Sequence, residues 1–168
     1  MRNTKNNIKN GFTLIELIIV IAIIAILAAA IFVAIDPARR LHEARNARRS
    51  TDLTTILEAV KTYQADHAGM HYGDLMSATV DVYYQIGTST NCAMNCLGNA
   101  TQDPCIDLSG IGSNYLAKIP YDPTEGSDAT TAYAIMKDSN GAISLIACLP
   151  EGEGPGGMGV PPDIRVVR

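Results

Sequence analysis

Lys9-Asn10-Gly11-Phe12-Thr13-Leu14-Ile15-Glu16 runs straight into nineteen uncharged, non-polar residues, 17–35, that include neither Gly nor Pro. At about 1.5 Å of rise per residue, that run makes roughly 28 Å of helix, close to one hydrocarbon thickness. A carboxylate at the entrance of such a segment is costly in lipid, so Glu16 needs a partner. Residues 1–11 ahead of it are polar and basic, with Arg2, Lys5 and Lys9 and no apolar core of their own. An ordinary secretory signal places its apolar region before the cleavage site. Here the apolar region follows Gly11, so a cut there would leave it on the mature chain.

The coincidence of a basic leader, a Gly11-Phe12 junction, Thr13-Leu14, Glu16 and an apolar run resembles the prepilin leader of type IV pilins and type II secretion pseudopilins. The resemblance implies cleavage after Gly11 by a prepilin peptidase and N-methylation of Phe12. It also implies an assembly role for Glu16. Cleavage would expose an α-ammonium on Phe12. Glu16 of one subunit and that ammonium on a neighbour would neutralise each other where the dielectric is low. Pairing within one chain is the alternative, and both can operate at different stages.

Charge is unevenly placed. Residues 1–49 hold eight Lys or Arg against three Asp or Glu, a balance of +5; residues 50–168 hold five against fourteen, a balance of −9. The acidic part does not suit a nucleic-acid partner, because phosphate contacts need clustered Lys and Arg. The Arg run after the apolar segment (Arg39, Arg40, Arg45, Arg48 and Arg49) reads as a solvated basic face, or as one that meets acidic neighbouring heads or anionic lipid. Arg density after the span opposes the positive-inside rule. Cys92, Cys96, Cys105 and Cys148 all lie on that side, and an even set there fits disulfides in an oxidising exterior, so the head is placed outside. Of the three connectivities, Cys92–Cys96 with Cys105–Cys148 is the expected one.

Asp36-Pro37 marks a boundary. Residues 38 to about 68 are rich in helix formers, with Leu41, Ala44, Leu53, Ile56, Leu57, Val60 and Tyr63 at helical spacing. From residue 69 onward, Gly, Asn, Asp, Ser and Thr punctuate the chain. The β-branched and aromatic run 80–86 reads as a strand, and 131–137 and 142–149 as a hairpin around Asp138-Ser139-Asn140-Gly141. A short helix is expected over 106–117, an exposed Gly-rich loop over 151–159, and an edge strand over 164–167. The Pro120-Tyr121-Asp122-Pro123 loop before the hairpin is similar to pilin and pseudopilin heads. The implied fold is α+β and pilin-like, a long N-terminal helix packed on a small antiparallel sheet. Its parts are the leader 1–11, a transmembrane and assembly helix 12–35, an amphipathic helix 36–68, and a disulfide-bonded head 69–168.

No phosphate loop, nucleophile elbow or paired-carboxylate motif is present, so the chain does not read as an enzyme. His42, His67 and His71 read as solvated histidines rather than metal ligands. Asp122, Glu125 and Asp128 share one loop and are the residues a calcium ion would use, although an acidic turn accounts for them without a cofactor. The resemblance implies a precursor held in the bacterial inner membrane with its head outside. Such a precursor is polymerised with copies of itself by an inner-membrane assembly platform into a surface or extracellular filament. A type II secretion pseudopilin is the alternative within that resemblance. A non-polymerising single-pass adhesin or binding module is the alternative of another class, and such an anchor has no use for Glu16.

Overall fold

The computed structural model describes residues 11–112 and 114–168. The chain divides into two units, Met1–Pro37 and Ala38–Arg168. Residues 1–10 of the expected leader lie outside the described residues.

In the first unit, α1 spans Leu14–Ile35, and Asp36 caps its end at a left-handed φ of 47°. None of its residues is buried. A helix that is apolar all the way round needs lipid or other helices around it. The described residues contain one helical stretch long and apolar enough to cross a membrane, and residues 17–35 supply its apolar part.

The second unit begins its core on α2 (Pro37–Asp66), whose buried positions are Asn46, Arg49, Leu53, Ile56, Leu57, Ala59 and Val60. The spacing of three and four makes one stripe along the helix. The expected apolar face holds from Leu53 onward. In the first half, Leu41 is 58% exposed, and the buried positions are Asn46 and Arg49 instead. The helix ends where Ala68 and Gly69 turn left-handed and Gly69 N donates to Gln64 O at 2.7 Å. That long-range backbone bond is the kind that closes a helix C-terminus.

A one-turn helix, α3 (Gly73–Ser77), leads to six strands: β1 (Tyr83–Ile86), β2 (Asn95–Cys96), β3 (Asn99–Ile106), β4 (Tyr133–Lys137), β5 (Ile143–Ala147) and β6 (Arg165–Val167). Their spatial order is β2-β3-β1-β4-β5-β6. The sheet is mixed rather than wholly antiparallel, because β1 and β3 run parallel with Tyr83 opposite Thr101. The 80–86 run starts as a strand only at Tyr83, since Asp81 turns to a φ of 61°. The hairpin forms as its turn chemistry predicts: Asp138 Oδ1 accepts from Asn140 N and Ala142 N at 2.8 and 2.7 Å. Gly141, at a φ of 84°, supplies the left-handed position. The expected helix over 106–117 is not formed; β3 runs to Ile106, and the described residues after it are turns and coil.

Both faces of the hairpin are covered, which explains why every residue of β5 is buried. Tyr133, Ile135, Ile143, Leu145 and Ala147 pack on Leu53, Ile56, Leu57 and Val60 of α2. Ala134 and Ile146 point the other way, towards Tyr83, Cys96 and Cys148. Each large side chain taken from water contributes about 1.5–3 kcal/mol. Tyr133 also donates to Asp52 Oδ2 at 2.8 Å, fixing the sheet against the helix.

The disulfides are Cys92–Cys105 and Cys96–Cys148, with Cα separations of 5.3 and 4.2 Å, which corrects the expected Cys92–Cys96 and Cys105–Cys148 pairing. The reason is the hairpin of β2 and β3. It folds residues 99–106 back along 89–96, with Cys105 N donating to Ser89 O at 3.2 Å, so Cys92 meets Cys105. Cys96 is left on the second face of the sheet, where Cys148 lies.

Candidate functional site

The Gly11–Phe12 bond lies in non-helical backbone just before α1, and Phe12 is 92% exposed. Thr13 is the N-cap of α1 and forms a reciprocal capping box with Glu16. Glu16 Oε2 accepts from Thr13 N at 2.8 Å and from Thr13 Oγ1 at 2.7 Å, while Glu16 N donates to Thr13 Oγ1 at 3.3 Å. Two orphan donors of the helix end are thus satisfied, and a negative charge is held at the positive end of the helix dipole. Glu16 therefore has a partner within its own chain.

In the head the polar cluster centres on Arg49, which is completely buried. Its Nε and Nη2 donate to Asp122 Oδ2 and Oδ1 at 2.7 and 3.1 Å, and its Nη1 to Glu151 Oε2 at 2.9 Å. Arg45 Nε donates to Glu151 Oε2 at 2.6 Å. Asn46 Nδ2 donates to Glu151 O at 2.7 Å and to Glu153 Oε1 at 2.8 Å. His42 Nδ1 donates to Gly152 O at 2.8 Å. The cluster ties α2 to the loop after Pro120 and to the Gly-rich loop after β5. Arg45 and Arg49 are thus turned into their own head rather than towards neighbours. Arg39 and Arg40 remain outward, each within 2.9 Å of Glu43.

The electrostatics agree with the geometry. Bonds from Arg45, then Arg49, hold the Glu151 carboxyl down at about 2 against the cost of its burial. Burial pushes Asp122 up, but Arg49 and Thr124 outweigh it, and the carboxyl lies below its ordinary value. Burial pulls Arg49 down, and Asp122 and Glu151 more than restore it.

The calcium candidates are placed for other work. Both oxygens of Asp122 are taken by Arg49 and Thr124. Asp128 pairs with Lys118 at 3.0 Å on the surface, and Glu125 N donates to Asp122 Oδ1 at 3.4 Å. A side chain on Gly126 would run into the backbone of Asp122 and Thr131, so the loop is closed tightly on itself. Among the described residues no group of three or more His, Cys, Asp or Glu is placed to hold a metal. His67 stacks on Tyr63 with ring centroids 3.8 Å apart, and Gln64 meets His71 at 2.8 Å.

Two features had signals in the sequence. Thr13-x-x-Glu16 before an apolar run is the capping-box pattern. Asn46 and Arg49 continue the buried stripe of α2 backwards from Leu53 by four and then three residues.

The prokaryotic N-terminal methylation motif, the signature of type IV pilins and pseudopilins, matches residues 6–32. No curated protein and no solved structure matches the chain. The motif implies a structural protein of pilin or pseudopilin type, processed by prepilin peptidase. Together with α1 it fits an inner-membrane precursor.

Proposed function

We propose that this chain is the structural subunit of a type IV pilus-like filament, stored in the inner membrane as a precursor and cut after Gly11. The observation that carries the reading is α1 itself: twenty-two residues, all apolar but Glu16 and none buried, whose first part lies within a processing motif. In the precursor, lipid covers that surface. After extraction, only the equivalent helices of neighbouring subunits can cover it, and a bundle of such helices is a filament core.

Cleavage gives Phe12 a free ammonium one residue from the Thr13 N–H that Glu16 already accepts. Glu16 then has two uses. It caps its own helix, and its charge answers the ammonium of an adjacent subunit, which sets the register between helices. Polymerisation with copies of itself by an inner-membrane platform follows from this reading, as does a head exposed outside the cell. The disulfides and the Arg49 cluster belong to that exterior role, since they brace a small head that carries load. Electron microscopy of sheared surface material, with mass spectrometry of the filament band, tests the proposal. The expected result is filaments whose main component is this chain; short filaments found only with a secretion apparatus would assign it to a pseudopilus instead.

A further inference from the structure

Asn140-Gly141 lies at the tip of the hairpin that joins β4 to β5. The backbone there is tied down: Asn140 N and Ala142 N donate to Asp138 Oδ1 at 2.8 and 2.7 Å, and Gly141 N donates to Asp138 O at 3.1 Å. The Asn140 side chain is not tied down. Asn140 is exposed, and its amide makes no hydrogen bond among the described residues. Gly141 stands at a φ of 84°, and a Cβ built on it would meet nothing within 4 Å, so that side of the turn is open. The other described Asn residues differ. Asn46, Asn95 and Asn99 have hydrogen-bonded side chains, and Asn91 and Asn114 precede Cys92 and Tyr115, whose Cβ atoms crowd the next backbone nitrogen. Asn10, also followed by a Gly, lies outside the described residues.

A free carboxamide beside an uncrowded backbone nitrogen is the arrangement that closes to a cyclic imide. We infer that Asn140-Gly141 is a modification site, at which the head loses the Asn140 amide and takes up a carboxylate in its place. The Gly141 nitrogen attacks Asn140 Cγ. The Cγ–Nδ2 bond breaks, and the amide group leaves as ammonia with the proton that Gly141 N gives up. Water then opens the ring. Cleavage of the N–Cγ bond yields aspartate; cleavage of the bond to the Asn140 main-chain carbonyl carbon yields isoaspartate, with an extra methylene in the backbone. Nothing is oxidised or reduced. The attacking nitrogen is the one that donates to Asp138 O, so the turn opens before the ring forms. Asp138 is therefore a positioning residue that holds the site closed, through its carbonyl and its carboxylate. The isoaspartyl product has the larger consequence. It lengthens a turn that sets Lys137 opposite Ile143 and whose Gly141 O accepts from Lys61 Nζ at 3.4 Å. The strands so joined supply Tyr133, Ile135, Ile143 and Leu145 to the core.

The test incubates the full-length chain in detergent at mildly alkaline pH, folded and in urea. Digestion in acid and mass spectrometry that separates aspartate from isoaspartate follow. The expected result is loss of the Asn140 amide from the folded protein while Asn91, Asn99 and Asn114 stay intact, with both products present and faster loss in urea. Asp138→Ala is expected to speed the loss in protein that keeps its near-ultraviolet circular dichroism. Asn140 that stays intact in the folded protein while it converts in urea, or that converts no sooner than Asn91 or Asn114, overturns the site. Aspartate without isoaspartate overturns the imide route, since direct hydrolysis gives aspartate alone. Equal rates in folded protein and in urea overturn the closing role of the turn, whether or not Asp138→Ala folds.

Discussion

Arg49 and Asp122 form a bidentate ion pair, 2.7 and 3.1 Å long, with both side chains wholly shielded from solvent. They are seventy-three residues apart, so the pair fixes the loop after Pro120 against α2. Removing one partner leaves a buried charge uncompensated, which costs about 3–5 kcal/mol. Arg49→Met is therefore expected to destabilise the head by about that amount, and Arg49→Met with Asp122→Leu by clearly less. Denaturant unfolding of the three proteins in detergent, followed by near-ultraviolet circular dichroism, measures this. Equal losses in the single and double variants would show that the pair is not coupled.

Acid should act on the same cluster. Glu151, held at about 2 in the folded head, has an ordinary value of 4.5, and Asp122 is shifted the same way. Both folded values lie below the unfolded ones, so the unfolded chain binds more protons in acid. Their stabilisation is complete above about pH 4.5 and is lost as the pH falls towards 2. The melting temperature is expected to drop through that window, and Glu151→Gln to flatten the drop while lowering stability at neutral pH. A wild-type melting temperature unchanged between those pH values would oppose the assignment.

Much of the head follows from local chemistry. The Asp138–Gly141 turn and the Leu53–Val60 stripe are legible because turn residues and helical spacing act over a few positions. Strands β2 and β3 are not, because Asn95, Asn99 and Gln102 carry little strand preference. That segment is held by Cys92–Cys105, Cys96–Cys148 and the second face of the hairpin, all of them long-range. Arg49 is hidden for a different reason. In a run of Arg it reads as solvated, and only its step of four from Leu53 marks it as buried. Its acceptor Asp122 reads as part of an acidic turn that a calcium ion could also use, because carboxylate spacing alone does not say which cation a carboxylate meets.

The disulfides differ in what they close. Cys92–Cys105 spans a separation of 13 and Cys96–Cys148 one of 52. In the chain-entropy model these contribute about 3 and about 4 kcal/mol. Cys96→Ser with Cys148→Ser is expected to lower head stability more than Cys92→Ser with Cys105→Ser, and to loosen β5 as well. Non-reducing peptide mapping and denaturant unfolding check the pairing and the order. A Cys105–Cys148 peptide would refute the connectivity.

Glu16 has a capping role and a charge role, and two substitutions part them. Glu16→Gln keeps a side chain that can close the box with Thr13 but removes the charge. Glu16→Ala removes both. If the charge meets the Phe12 ammonium of the next subunit, both variants accumulate in the inner membrane and neither yields filaments. Filament yield after shearing is the readout. Normal filaments from Glu16→Gln with none from Glu16→Ala would reduce Glu16 to a helix cap.

The processing step is the most direct test of the whole account. Intact-mass and N-terminal peptide analysis of the assembled protein should find a chain that begins at N-methylated Phe12, with residues 1–11 gone. Gly11→Leu should leave full-length precursor in the membrane and no filaments. Assembled protein that retains Met1 and its leader would contradict the account.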